Sequence, residues 1–139
     1  MILLDTNVLS ALMHPESSEQ ILRWLDRQAR SSVWTSSVTL MEIRYGLMIM
    51  PLGRRREILE REMENVLLKD IEGRIAHFDA AAAEEAAELM ALRKQRGRPG
   101  ELRDTMIAGI ALATRATLAT RNVAHFADLT VAVVNPWAE

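Results

Sequence analysis

By type and neighbourhood, Asp5, Glu42 and Asp104 are the residues of this sequence best placed to do chemistry. Asp5 closes the apolar run Met1-Ile2-Leu3-Leu4 and precedes Thr6-Asn7, where a helix with Val8, Leu9 and Leu12 begins. A buried strand that ends in a carboxylate sets it beyond the carboxyl end of the strand, where open parallel sheets bind ligands. Asp, Thr and Asn are also helix N-caps, and this stretch alone does not separate the two roles. Glu42 borders an apolar stripe of Val38, Met41, Tyr45 and Met48, so it needs a cation or an ion-pair partner, because burying a lone carboxylate is costly. Arg44 and Arg93 are the side chains that could pair with it. Asp104 stands near a helix start, where the dipole favours an acid in any case. It shares a face with Ile107, Ala108 and Ala111, however, which directs it inward. Asn122 directly follows a strand end. Three carboxylates near one point raise one another's pKa values, and a divalent cation reverses that. With no cysteine and no paired histidines, an all-oxygen site selects Mg²⁺ or Mn²⁺ over Zn²⁺. Such a site suits phosphate-ester chemistry, in which the metal polarises a phosphoryl oxygen and acidifies an attacking water.

Other chemistries lack their signatures. There is no G-x-S-x-G elbow, Gly-rich phosphate loop or G-x-G-x-x-G fingerprint. His14, His77 and His125 have no metal-ligand spacing and are read as structural or surface residues. A haloacid-dehalogenase-type phosphatase needs a second Asp two residues after the first, and Asn7 stands there. The eight methionines are core filler.

The elements that must position these residues follow from periodicity. A second helix, capped by Ser17 or Ser18, runs to about Arg27 with Ile21, Trp24 and Leu25 on one face. Val33-Trp34-Thr35-Ser36 is a second strand, and Ser37 is the expected cap of the helix that carries Glu42. Pro51 and Gly53 end that helix. Another spans Arg54 to about Ile71, buries Leu59, Met63, Val66 and Leu67, and stops at Gly73. Residues 74–78 form a third strand. Asp79 caps an alanine-rich helix over Ala80 to about Lys94, and a turn at residues 97–100 leads to a helix from Leu102 to about Arg115. Residues 117–120 and 131–134 are the fourth and fifth strands, closed by Asn135-Pro136-Trp137. Short apolar strands alternating with helices indicate a parallel sheet covered on both faces, in one α/β domain over residues 1–139.

A chain of 139 residues, 49% hydrophobic and 26% charged, matches an ordinary soluble globular protein. Its opening has no basic leader and no run approaches the roughly 20 apolar residues of a membrane span, so a cytoplasmic protein is expected. The net charge of −2 does not suit general nucleic-acid coating, so any such contact needs a local basic patch. Arg54-Arg55-Arg56, and Arg93 and Lys94 with Arg96 and Arg98, are the candidates; each is also readable as a solvated face.

Taken together, the sequence resembles the PIN-domain ribonucleases, and within them the VapC toxins of bacterial toxin–antitoxin pairs, especially the FitB-like branch. The resemblance rests on Leu4-Asp5-Thr6-Asn7-Val8 and on Ser36, Thr39 and Glu42 ahead of Tyr45-Gly46. It continues with Asp104 before Ile107-Ala108, Ala119-Thr120-Arg121-Asn122, and Asn135-Pro136-Trp137. It implies a three-layer α/β/α sandwich with a mostly parallel sheet, and an Mg²⁺- or Mn²⁺-dependent endoribonuclease acting on single-stranded or looped RNA. In that family Asp5, Glu42 and Asp104 correspond to the core acids that hold the metal. Asn122 takes a fourth catalytic position where many relatives carry Asp, and Asp128 is not expected to substitute. The resemblance further implies a homodimer and a cognate VapB-like antitoxin, with DNA reached only through that antitoxin. An antitoxin Arg in the acidic pocket would mimic the cation. The basic residues Arg93, Lys94, Arg96 and Arg98 become candidate RNA contacts. Two rival readings are a PIN-like module that binds RNA or protein without cutting, and a small-molecule phosphohydrolase.

Overall fold

In a computed structural model that describes residues 1–14, 16 and 19–138, five strands pair in one sheet, every ladder parallel. They are β1 (Ile2–Leu4), β2 (Val33–Ser36), β3 (Ile75–Ala76), β4 (Thr117–Ala119) and β5 (Val133–Val134), in the order β3-β2-β1-β4-β5. The chain winds outward from β1 through β2 to β3, then crosses back to place β4 on the other side of β1. The winding therefore reverses between β1 and β4, and such a reversal opens a crevice at the carboxyl ends of those two strands.

Helices cover both faces. They are α1 (Thr6–Met13), α2 (Glu19–Asp26), α3 (Ser37–Met48), α4 (Arg54–Asn65), α5 (Ala80–Gln95) and α6 (Leu102–Thr114). Successive strand residues point to opposite faces. Leu4, Val33 and Ala119 join the core beneath α1, α2 and α4, while Leu3, Ala76 and Leu118 join the core beneath α5 and α6. This is the expected α/β/α sandwich. The predicted buried faces of α2 (Ile21, Trp24, Leu25) and α6 (Ile107, Ala108, Ala111) are also present. Asp79 caps α5 as expected, its Oδ1 accepting the Ala82 N–H at 3.0 Å. No helix among the described residues is long and apolar enough to cross a membrane.

One expectation falls outside the described residues, and three others need correction. Ser17 and Ser18, the expected caps of α2, lie outside the described residues. The edge strand β3 covers only Ile75–Ala76, because its partner β2 turns into α3 after Ser36 and offers residues 77 and 78 no ladder. The cap of α3 is Ser36, whose Oγ accepts the Thr39 N–H at 3.0 Å; Ser37 Oγ instead accepts the Phe78 N–H. The helix expected to run unbroken from Arg54 widens after Asn65 into a π-helical turn, Val66–Ile71. Val66 and Ile71 are both buried five residues apart, a spacing that an i→i+5 turn aligns on one face and an α-turn does not. Glu72 and Gly73 end it in left-handed conformations.

The face of α3 is also reversed. Val38 is buried, but the rest of the expected stripe is exposed, Met41 by 51%, Tyr45 by 59% and Met48 by 66%. Thr39, Ile43 and Leu47 face the core instead. This helix carries two apolar stripes, and periodicity alone does not say which one points inward.

α5 and α6 pack through small residues. A Cβ on Gly109 would lie 2.5 Å from the Ala82 carbonyl oxygen and 2.8 Å from Ala86 Cβ, so the two backbones meet there without room for a methyl. Gly109→Ala gains helix propensity of about 1 kcal/mol, yet overpacking at a backbone contact typically costs ~1–3 kcal/mol. The expected net result is a lower urea midpoint with an unchanged m-value; a midpoint at or above wild type would show that the crossing relaxes freely.

Candidate active site

The crevice between β1 and β4 is built around Asp5. It follows β1 and caps α1, its Oδ1 accepting the Thr6 N–H at 2.8 Å, so the capping role is present at a residue that also stands at the carboxyl end of the strand. The N-terminal cap therefore belongs to Asp5, not to Thr6 or Asn7. Its backbone N–H joins the Ala119 carbonyl at 2.9 Å, which extends the β1–β4 ladder by one bond. On Oδ2 it accepts the Thr120 hydroxyl at 2.7 Å and the Asn7 amide at 3.3 Å. Only 3% of the residue is exposed. Burial pushes its pKa above the ordinary carboxylate range, and the nearby Asp104 charge pushes the same way; the bonds from Thr120, Thr6 and Asn7 oppose them.

Glu42 comes to the crevice from α3. Its Oε1 accepts the Thr6 hydroxyl at 2.8 Å, and the buried Thr39 hydroxyl lies 3.0 Å from that same oxygen of Thr6. Its Oε2 stands 3.6 Å from the guanidinium of Arg103, which also donates to Glu101 at 3.0 Å. Neither expected partner is used: Arg44 pairs with Glu64, and Arg93 with Asp128. Asp104, in the first turn of α6, places Oδ2 3.2 Å from His125 Nδ1. Burial raises its pKa, with Glu101 and Glu42 adding to the rise and His125 opposing it.

Asp104 thus links the three acids: its charge acts on Asp5, and that of Glu42 acts on it. Asn122 stands at the exposed rim of the crevice, where the backbone N–H donates to Thr120 Oγ1 at 3.0 Å, so it props the residue that holds Asp5. Arg93, expected among the RNA contacts, is instead 5% exposed. It donates to both Asp128 oxygens at 2.9 Å, to Thr105 Oγ1 at 3.1 Å and to the His125 carbonyl at 3.0 Å. This guanidinium is an internal brace. It draws the Asp128 carboxyl below its ordinary range. Lys94, Arg96 and Arg98 are exposed.

Sequence reasoning missed Arg103 and set His125 aside. Arg103 carried a signal: a cation in the first turn of a helix opposes the dipole, so it calls for acids close by, and Glu101 and Asp104 flank it. No spacing marked His125, because its tie to Asp104 is purely tertiary.

Among the described residues, no three His, Cys, Asp or Glu side chains converge as an ion cage in this conformation; Glu42 is turned to Thr6 and Arg103, and Asp104 to His125. The donor set nevertheless fits a hard divalent cation. It consists of carboxylates, and two of them, Asp5 and Asp104, are destabilised in their charged forms, which a cation relieves.

A family model described as PIN domain matches residues 2–130. The chain is 39% identical to a plasmid stability protein, StbB, of Pseudomonas syringae pv. tomato, over 99% of both chains. It is 37% identical to a VapC ribonuclease of Sinorhizobium fredii, over 99% of this chain and 98% of that one. A solved structure of FitAB bound to a DNA fragment superposes with a TM-score of 0.87 at 36% identity, over 99% of this chain and 96% of that one.

Because its folded pKa is raised, ionising Asp104 costs stability between the ordinary carboxylate pKa of about 4 and that raised value, and the whole cost persists at higher pH. Without added metal, Asp104→Asn is expected to melt roughly 1–4 °C above wild type at pH 7. Thermal melts across the acid range should show the gap closing towards about pH 3.5, below the ordinary carboxylate pKa. A variant that melts lower at pH 7 would mean that the His125 contact outweighs the repulsion.

Proposed function

The chain belongs to the PIN-domain family, and from that premise we propose that it is a metal-dependent endoribonuclease, the toxin of a VapBC-like toxin–antitoxin pair. The observation that carries this reading is the meeting of Asp5 and Asp104 across the β1–β4 crevice, each carboxyl pushed up by burial and by neighbouring negative charge. A cluster that resists ionisation by itself is one that a divalent cation completes. Asp5 and Asp104, with Glu42, would hold Mg²⁺ or Mn²⁺. Bound there, such an ion polarises a phosphoryl oxygen and lowers the pKa of an attacking water.

The chain's own residues do the rest. Thr120 and Asn7 fix one oxygen of Asp5, and the Thr6 N–H fixes the other. Thr6, backed by Thr39, orients Glu42. Asn122 assists at the rim and lowers the charge of the site by one relative to an Asp, which eases the approach of a polyanion. Lys94, Arg96 and Arg98 are the proposed cations that face RNA beside the acids.

The partner is a VapB-like antitoxin, and contact with DNA runs only through it; the similarity to FitAB supports this. A homodimer accords with the exposed apolar ridge of Met41, Tyr45 and Met48 on α3, continued by Ile49 and Leu52.

The test is cleavage of RNA with Mg²⁺ or Mn²⁺. Wild type is expected to cut and to stop on chelation. Asp5→Asn and Asp104→Asn should lose at least the ~10–100-fold that removal of even an outer-shell partner of a metal costs. Equal cleavage by all three proteins would sink the assignment, and turnover of a phosphomonoester without action on RNA would move it to a phosphohydrolase.

A further inference from the structure

Beside the acid crevice lies a cavity of about 710 Å³ that has Asp104 in its wall. Its other walls come from the α5–α6 turn, through Arg96, Arg98 and Gly100, and from the 3₁₀ helix Val123–Phe126 with the residue after it, through Ala124, His125 and Ala127. Its floor is rigid. The buried Arg93 guanidinium ties α5 to Asp128, to Thr105 of α6 and to the His125 carbonyl, and the chain at Gly100 lies so close that a Cβ there would sit 2.7 Å from Arg93 Nη1. The cavity is therefore held open by bonded groups and is not a gap between loose loops.

The lining describes its ligand. Arg96 and Arg98 are exposed, and neither makes a salt bridge among the described residues; Glu101 and Asp128 also line the cavity, but Glu101 is paired with Arg103 and Asp128 with Arg93, which leaves the two exposed guanidinium groups able to receive an anion. Ala124 and Ala127 present small apolar surface, and the half-exposed His125 ring adds a flat, polar-edged wall. Phosphate suits the first part, and a planar base suits the second, since bases stack on imidazole and guanidinium planes. The volume lies within the ~300–1,000 Å³ of pockets that enclose small ligands. A base enters such a pocket only when it is out of its stack and unpaired.

We propose that this cavity is the subsite for one unpaired nucleotide next to the phosphodiester bond handled at Asp5 and Asp104. Its phosphate lies on Arg96 and Arg98, and its base lies against Ala124, Ala127 and His125. The inference rests on the ribonuclease reading and adds to it where the RNA enters and why a strand is taken in preference to a duplex.

Binding tests it separately from cutting. The full chain carrying Asp5→Asn, to suppress cleavage, is titrated by fluorescence anisotropy with a labelled single-stranded RNA and with the same sequence as a blunt duplex. The strand is expected to bind at least ~10-fold more tightly, a difference of about 1.4 kcal/mol. Ala127→Trp, which fills the cavity, should erase that preference while the melting temperature holds. The doubly substituted Arg96→Ala/Arg98→Ala protein, altered only at exposed positions, should lose affinity and flatten the salt dependence by about 0.7 in slope for each phosphate it no longer neutralises. If Ala127→Trp folds and still binds the strand like its parent, or if the arginine variant keeps its affinity and slope, the subsite is disproved; the former result also follows if the cavity houses a protein segment. Wild type that cuts RNA while the variants bind normally would leave the nuclease reading intact and remove only the subsite. Strand binding abolished on filling the cavity, with no cleavage by wild type, would keep the subsite and remove the nuclease.

Discussion

The structure depends on keeping a carboxylate, Asp5, where water hardly reaches. Burial of a lone charge is among the most expensive things a fold can do, and the chain meets that cost with three hydrogen bonds to the carboxylate. The Thr6 N–H donates to one oxygen as Asp5 caps α1, and Thr120 and Asn7 donate to the other. Those bonds reduce the penalty without cancelling it, since the pKa still rises. What remains is an electrostatic deficit fixed at the reversal point of the sheet, and the rest of the site can be understood as a response to it.

The basic residues divide accordingly. Arg93 is consumed inside the fold, where it locks Asp128 and the start of α6 with charge-assisted bonds. Arg103 is half-exposed and stands 3.6 Å from Glu42, a loose pairing of the sort that contributes little to stability. Among the described residues, no acid holds Arg96 or Arg98 in a salt bridge. Arg93 is thus buried, Arg103 is held chiefly by Glu101 at 3.0 Å, and Arg96 and Arg98 are exposed.

Much of this was legible in the sequence because it is local. A strand of three apolar residues stopped by Asp, the alanine-rich helix after Asp79 and the inward face of α6 each need only a short window, and all three stand in the structure. Glu42 is reached from the sequence through a mistaken step: the stripe of Met41, Tyr45 and Met48 that was to bury it faces solvent, and the side chain is half-sheltered by Thr6 and Arg103 instead. A helix with two apolar stripes carries no internal mark of which one the core takes. Arg93 was misassigned for a related reason. Its place in a run of cations suggested surface, whereas its burial depends on Asp128, 35 residues away. Charge runs record composition, and only tertiary pairing sorts a brace from a contact.

The order of the strands has a consequence for the timing of synthesis. β1 lies at the middle of the sheet and emerges from the ribosome first, yet its neighbour β4 and the Thr120 hydroxyl that secures Asp5 come 115 residues later. At the ~5–20 residues per second of translation, several seconds pass during which Asp5 exists without the partner that shapes it. Half-made chains therefore carry Asp5 and Glu42 but neither Asp104 nor Thr120. The crevice is complete only once Thr120 has been made, so its chemistry waits on a residue far downstream of the acid it secures.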